Sequence, residues 1–290
     1  MACWIAFALG WIGPAESAAQ SLTEQTAERL RTRIEAASAG LEALRAEGEP
    51  VRSRTALMQF YESRGFAPAW TTDRGVSPRV EALLQSIGRA EALGLRPGDY
   101  HPDAIRALAD AARANPNDAT QPRRLADLEL LCTDAFLLYA THRMSGRVDP
   151  ESIDPDWRAS PRTADGAQVL DRALRTGQIE GTLAELDPPQ PEFQRLQQAL
   201  ARYRRIAATG GWPSVPAGPA LREGDASPRV VVLRKRLRAT GDGPSNAALA
   251  DTAAARFDST LATGVRRFQT RHGLDSDGVV GMQTLAALNV

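Results

Sequence analysis

Leu30, Ile34, Ala37, Leu41 and Leu44 recur at intervals of four and three residues, the spacing of one apolar helix face. Gly48 and Pro50 mark the predicted end of that helix. A second is predicted through Leu57, Phe60 and Tyr61 to Gly65, and a turn-rich connection from Phe66 to Gly75 carries Trp70 toward a core edge. Ser77-Pro78 joins a capping hydroxyl to a first-turn proline, and Val80, Leu83, Leu84 and Ile87 then face one side until Gly94. A short helix is predicted from near Pro102 with Ile105 and Leu108. A long, largely buried one carries Leu125, Leu128, Cys132, Ala135 and Tyr139 to about Met144. After a loop with Asp149-Pro150, Asp154-Pro155 and Trp157, a helix is predicted from Asp165 through Leu174. Another carries Phe193, Leu196, Leu200, Tyr203 and Ile206.

Residues 20–209 show no sustained period-two alternation, so the predicted fold class is all-α. Gly210 to Pro219 breaks regular structure, which makes residues 210–220 a Gly/Pro linker, stiffened by prolines that hold φ. Residues 221–290 then read as a small three-helix domain. Its first helix starts at Ser227-Pro228 and buries Val230, Leu233 and Leu237. Its second buries Leu261, Val265 and Phe268. Met282, Leu285 and Leu288 are predicted to close the core. Between the first two helices, Gly243 to Asp258 is an insertion of partly helical character.

Composition narrows the possibilities. The chain carries 35 basic and 35 acidic residues, so no overall field draws it to nucleic acid. Cys3 to Ile12 is an apolar run of signal-peptide length, too short to cross a bilayer, with small residues at Ser17, Ala18 and Ala19 before Gln20. Residues 1–19 are therefore expected to be a signal peptide and the protein to be periplasmic. No other segment is apolar for long enough to span a membrane. Removal of the leader would leave Cys132 as the one cysteine, with no disulfide framework.

Chemistry is sparse. His101 and His142 are isolated in sequence and fit no metal-ligand spacing, so neither a metal nor another cofactor is expected. His101 reads as a cap or turn residue, His142 as structural, and Cys132 as a small buried hydrophobe. Residues 221–290 hold ten basic against seven acidic residues, a net of +3. Arg266, Arg267 and Arg271 lie off the buried stripe of their helix and are expected to point outward along one flank, where guanidinium groups suit carboxylates. Gln269, His272 and Asp277 have two readings each. They can contact a ligand, or Gln269 can tie the following turn, Asp277 organise it and His272 occupy the last helical turn.

The final stretch, VRRFQTRHGLDSDGVVGMQTLAALNV, resembles the C-terminal half of the three-helix peptidoglycan-binding module of bacterial cell-wall enzymes. The similarity extends upstream. RVEALLQSIGRAEALGLRPGDYH, the GRVDP at Gly146, LARYRRIAATGGWPSVPAG and LREGDASPRVVVLRKRLRATGD together resemble the large L,D-transpeptidases of Gram-negative bacteria. In that family a helical scaffold domain, here residues 20–209, leads through a GGWP segment into the peptidoglycan-binding module, here 221–290. A catalytic β-domain with a cysteine in a Ser-x-Gly-Cys-x-Arg setting then follows. No Gly-Cys-x-Arg occurs in this sequence, and Cys132 precedes Thr133 and Asp134. The resemblance thus implies a non-catalytic, wall-binding front part of such an enzyme, either truncated or stand-alone, with peptidoglycan as its partner.

Two alternatives stand beside this reading. One is a muramidase-like hydrolase with an acidic catalytic residue between positions 66 and 165, although no motif singles one out. The other is a scaffold for a separately encoded catalytic partner, docked on the Leu30–Leu44 stripe; that stripe equally suits packing on the domain's own core.

Overall fold

The computed structural model describes residues 20–148, 150–154, 156, 162–243 and 255–290. The expected leader at 1–19 with Cys3, the loop positions Asp149, Pro155 and Trp157, and most of the insertion (244–254) lie outside the described residues. Among the described residues the chain is all-α apart from two short hairpins, and it divides into two compact units that meet between Gln194 and Arg195. No helix among them is long and apolar enough to cross a membrane.

In the N-terminal unit, α1 (Leu22–Ser38) begins with a capping box. Ser21 Oγ accepts from the Glu24 amide, and the Glu24 carboxylate accepts from the Ser21 amide. Its stripe of Leu30, Ile34 and Ala37 is fully buried in the unit's own core, with α5 the main neighbour. That occupies the surface on which a docked partner had been considered.

The helix ends sooner than its apolar period implies. Gly40 adopts φ 72° and the Leu41 amide reaches back to Ala36 O at 3.0 Å, a Schellman stop. Leu41 is consequently 76% exposed, and Leu44 enters the core from the foot of a hairpin instead. In that hairpin β1 (Arg45–Ala46) pairs with β2 (Glu49–Pro50), and Glu47 and Gly48, both at positive φ, make the two-residue turn.

After α2 (Arg54–Ser63), a second hairpin pairs β3 (Thr71–Thr72) with β4 (Gly75–Val76). Helix α6 (Gly166–Thr176) matches its predicted segment; α3 (Arg79–Gly88) stops short of Gly94, which instead ends a 3-10 turn over Ala90–Leu93, and α4 (Pro102–Ala114) starts at Pro102 as predicted but runs for 13 residues. The six-residue α7 (Ile179–Ala184) was not anticipated, since one and a half turns carry too little periodicity to register.

All of these surround α5 (Gln121–Ser145), which is buried on nearly every side. Charged groups on such a helix must be paired or hydrogen-bonded. Glu129 meets that demand with four donors. Its Oε1 accepts from the Trp70 amide and Thr71 Oγ1, both at 2.8 Å, and its Oε2 from the Ala69 amide at 2.9 Å and Tyr61 OH at 2.7 Å. Burial still pushes its carboxyl above the usual range, while those donors pull the other way. Asp134 does the same for a different loop, accepting from the amides of Arg52 and Ser53 at 2.9 and 2.6 Å, with His101 Nε2 at 3.0 Å.

His101 sits at the start of α4 as expected, but in the left-handed region (φ 53°) and without a side-chain cap. Its imidazole is committed to Asp134. His142 is a hydrogen-bond partner of Tyr100 OH through Nδ1 at 3.0 Å. Cys132 is fully buried, and burial raises its thiol well above the ordinary value.

Helix α8 (Pro191–Ala208) has no fully buried residue, and Leu196 is 68% exposed. The C-terminal unit proper contains α9 (Pro228–Thr240), α10 (Ser259–Arg271) and α11 (Met282–Leu288). Two helix starts are capped by side chains: Ser227 Oγ accepts from the Arg229 amide, and Asp258 Oδ1 from the Leu261 amide. Val230, Leu233, Leu237, Phe257, Leu261, Val265, Phe268 and Leu288 form the core. Val215, in the segment read as a linker, is buried with them. Asn289 fastens it by accepting from its amide and donating to its carbonyl, at 2.8 and 2.9 Å. Leu288 closes this core as predicted and Leu285 packs against it, but Met282 is 86% exposed and Thr284 faces inward in its place.

Candidate functional site

The inward turn of Thr284 has a polar cause. Gln269, on α10, is 1% exposed, and an amide so enclosed needs most of its bonds made. Its Nε2 donates to Asp277 Oδ1 at 2.8 Å, Val279 O at 3.0 Å and Thr284 Oγ1 at 3.2 Å, and its Oε1 accepts from the Gly278 amide at 2.9 Å. One side chain therefore holds the 277–279 turn and the start of α11 against the end of α10.

Asp277 completes the turn by accepting from the Val279 amide at 2.8 Å. That amide, together with Gln269, holds its carboxyl below the usual range. The φ of 79° favours glycine at position 278, where a Cβ would also come within 3.1 Å of the Arg266 guanidinium. Arg266 thus lies across the turn, beside Asp277.

The other two arginines go elsewhere. Arg267 and Arg271, four residues apart, share a side of α10. Arg267 is exposed and has no hydrogen bond or ion pair among the described residues. Arg271 is spoken for. Its Nη2 meets Asp242 Oδ2 at 2.5 Å and its Nε meets Oδ1 at 3.3 Å, a two-point contact that raises the guanidinium's proton affinity further. His272 lies flat on Phe268, ring centroids 4.1 Å apart; partial burial and the neighbouring Arg271 charge lower its proton affinity.

The six residues singled out from sequence therefore form two groups. Arg266, Gln269 and Asp277 build the turn, and Arg267, Arg271 and His272 lie on the exposed side of α10, with Arg271 and His272 packed on the buried Phe268 ring.

Behind Arg271 and His272 lie buried and half-buried residues that the sequence alone does not single out. Arg236, on α9, is 2% exposed. Its Nε donates to Leu288 O at 2.5 Å and its guanidinium lies 4.1 Å from the Trp212 ring centroid and 5.8 Å from that of Phe268. Burial, then the charge of Arg271, lowers its proton affinity. Tyr203 meets Trp212 edge-on at 6.0 Å. A cation–aromatic cluster of Tyr203, Trp212, Arg236 and Phe268 thus backs the exposed His272. The available signal was Trp212, a large aromatic inside a Gly/Pro stretch that would otherwise have little reason to carry one.

The acids of the N-terminal unit behave differently. Glu129 and Asp134 are fully buried and saturated with donors from the protein itself, so they act as anchors for loops. An acid–base pair for glycoside cleavage needs access to substrate. Glu129 and Asp134 do not provide it.

Comparison with known families fits this division. Residues 55–200, half of the chain, match the family model described as "Scaffold domain". The chain belongs to that family. Residues 226–288 match the model described as "Putative peptidoglycan binding domain", which covers the Gln269 turn, Arg267 and the Phe268–His272 ring stack. No curated protein matches the chain. A scaffold domain followed by a peptidoglycan-binding domain is the arrangement the sequence resemblance implied, and neither is a catalytic domain type.

Proposed function

We propose that the protein is a periplasmic, cell-wall-associated binder of peptidoglycan. In this reading it is the non-catalytic portion of an L,D-transpeptidase-like protein that takes part in cell-wall organisation. The observation that carries the reading is the peptidoglycan-binding match over residues 226–288, in a unit whose Gln269-pinned turn and Phe268-centred core leave Arg267 and His272 open to solvent. Arg267, without a hydrogen bond or ion pair among the described residues, supplies a guanidinium for the carboxylates of wall peptides. His272 and the rings behind it supply an amphipathic platform. Arg271, tied to Asp242, positions that face.

The domain division proposed is a helical scaffold over residues 20–209 and a wall-binding module over 221–290, with 1–19 as an export leader. Catalysis, on this reading, resides in a transpeptidase domain with its own cysteine, either continuous with this chain or separately encoded. Cys132 cannot substitute for it, because it is sealed in the core and its thiol is held protonated.

Sedimentation with purified murein sacculi tests the proposal. The chain should pellet with sacculi at low ionic strength, and Arg267→Ala should shift it toward the supernatant. Recovery of the unaltered protein entirely in the supernatant would refute wall binding. A cleared band on a wall-embedded gel would instead favour the hydrolase alternative.

A further inference from the structure

The N-terminal unit has an open groove at which no function has been placed. Two adjoining cavities of about 440 and 470 Å³ lie between α1, the 45–50 hairpin and the first turn of α5, and both are lined by Arg29, Arg33 and Arg123. Arg45 adds a fourth guanidinium to the second. These volumes fall within the range of small-ligand sites.

The four cations are unevenly satisfied. Arg33 Nη1 meets the buried Asp127 Oδ1 at 2.6 Å and its Nη2 donates to Arg45 O. Arg45 in turn donates to Gly48 O. Arg123 reaches Asp127 only at 3.9 Å, with its side chain 69% exposed. Arg29 makes no hydrogen bond or ion pair among the described residues. Arg29 and Arg33 also stand four residues apart on α1, a like-charge pairing that disfavours the helix. A bound anion would relieve it. Arg33 and Arg45 thus serve the fold, Arg123 holds only a long contact to Asp127, and Arg29 presents a fork-shaped donor with no hydrogen bond or ion pair among the described residues.

The rest of the lining identifies the kind of anion. Glu28 and Glu47 border the same cavities, and Asp127 forms part of the wall. Gln25 and Thr32 add neutral hydrogen-bonding groups. A phosphate-dense ligand would confront those three carboxylates. A peptide would not, because it brings backbone N–H donors for the carboxylates and amides along with its own carboxylates for the arginines.

We propose that this groove binds a short acidic peptide, its carboxylates gripped by Arg29 and Arg123. The site is separate from the C-terminal surface and does not depend on wall binding there.

Fluorescence anisotropy of the full chain with a labelled triglutamate peptide tests it, with trilysine as the control of opposite charge. Triglutamate should bind and trilysine should not. The Arg29→Ala/Arg123→Ala double variant should lose at least tenfold in affinity, whereas Arg267→Ala should bind as well as the unaltered chain. Neither side chain is buried and Arg29 makes no hydrogen bond or ion pair among the described residues, so circular dichroism should show an unchanged fold; Arg29→Gln alone gives a milder second variant. Equal affinity of the double variant and the unaltered protein would overturn the proposal. So would displacement of triglutamate by inorganic pyrophosphate at lower concentration than by unlabelled triglutamate.

Discussion

Gln269 and Asp277 share a 2.8 Å hydrogen bond, and through it the last turn of α10 is fastened to the Asp-Gly turn that precedes α11. The bond matters because the rest of the Gln269 amide is also engaged, so the turn and both helices depend on one side chain.

Replacing Gln269 by Leu should therefore destabilise the C-terminal unit out of proportion to its size. The Gly278 amide and Val279 carbonyl would lose their partner in a buried place, at about 1–3 kcal/mol for each orphaned group. In a domain this small, a loss of about 2 kcal/mol lowers the melting temperature by roughly 8–16 °C. Differential scanning calorimetry should show the C-terminal transition moving and the other staying in place.

Asp277 gives that unit an acid-sensitive term. Its carboxyl is held below the ordinary range by the Val279 amide and by Gln269. The group is thus more readily protonated in the unfolded chain than in the folded one. Its contribution is complete above the unfolded value of about 3.9 and fades as pH falls through the lowered folded value. In urea denaturation between pH 5 and pH 2, Asp277→Asn should flatten this part of the stability profile.

Arg267 and Arg271 should separate in their effects despite sharing a helix side. Arg267→Ala should weaken retention on sacculi with the melting temperature within about 1 °C of the original, as for an unpartnered surface residue. Arg271→Ala removes the partner of Asp242, which is only 7% exposed, and should lower the melting temperature as well. Arg271→Lys should restore little, because a lysine cannot reproduce the two-point contact.

For the N-terminal unit, Glu129→Gln is the sharpest substitution. Each oxygen of Glu129 accepts two hydrogen bonds, so an amide nitrogen at either place would point donors at donors. A loss of about 2–4 kcal/mol is expected, read as a shift in the first calorimetric transition. Cys132 serves as the reporter: a thiol reagent such as dithionitrobenzoate should leave it unmodified in the native protein and label it on unfolding.

Much of this architecture is written in local pattern. A 3.6-residue period needs no tertiary information, so the helices through Leu57, Val80, Leu125 and Leu261 are legible, as is the start at Ser227-Pro228. The scaffold and peptidoglycan-binding resemblance was also legible, because it rests on contiguous motifs. Leu41 and Met282 show where period alone misleads. Each continues an apolar stripe in sequence, yet a Schellman stop at Gly40 and the Gln269–Thr284 bond turn them outward.

What only the tertiary structure decided is which charges are free. Arg267 and Arg271 are the same residue type on one helix side. Asp242, brought from the end of α9, claims Arg271 and leaves Arg267 open. Arg29 and Arg123, 94 positions apart, become neighbours only when α1 packs against α5. A side chain's type and its place on a helix are properties of the local chain. Its partner is set by the packing of distant segments, and so the binding surfaces belong to the folded molecule.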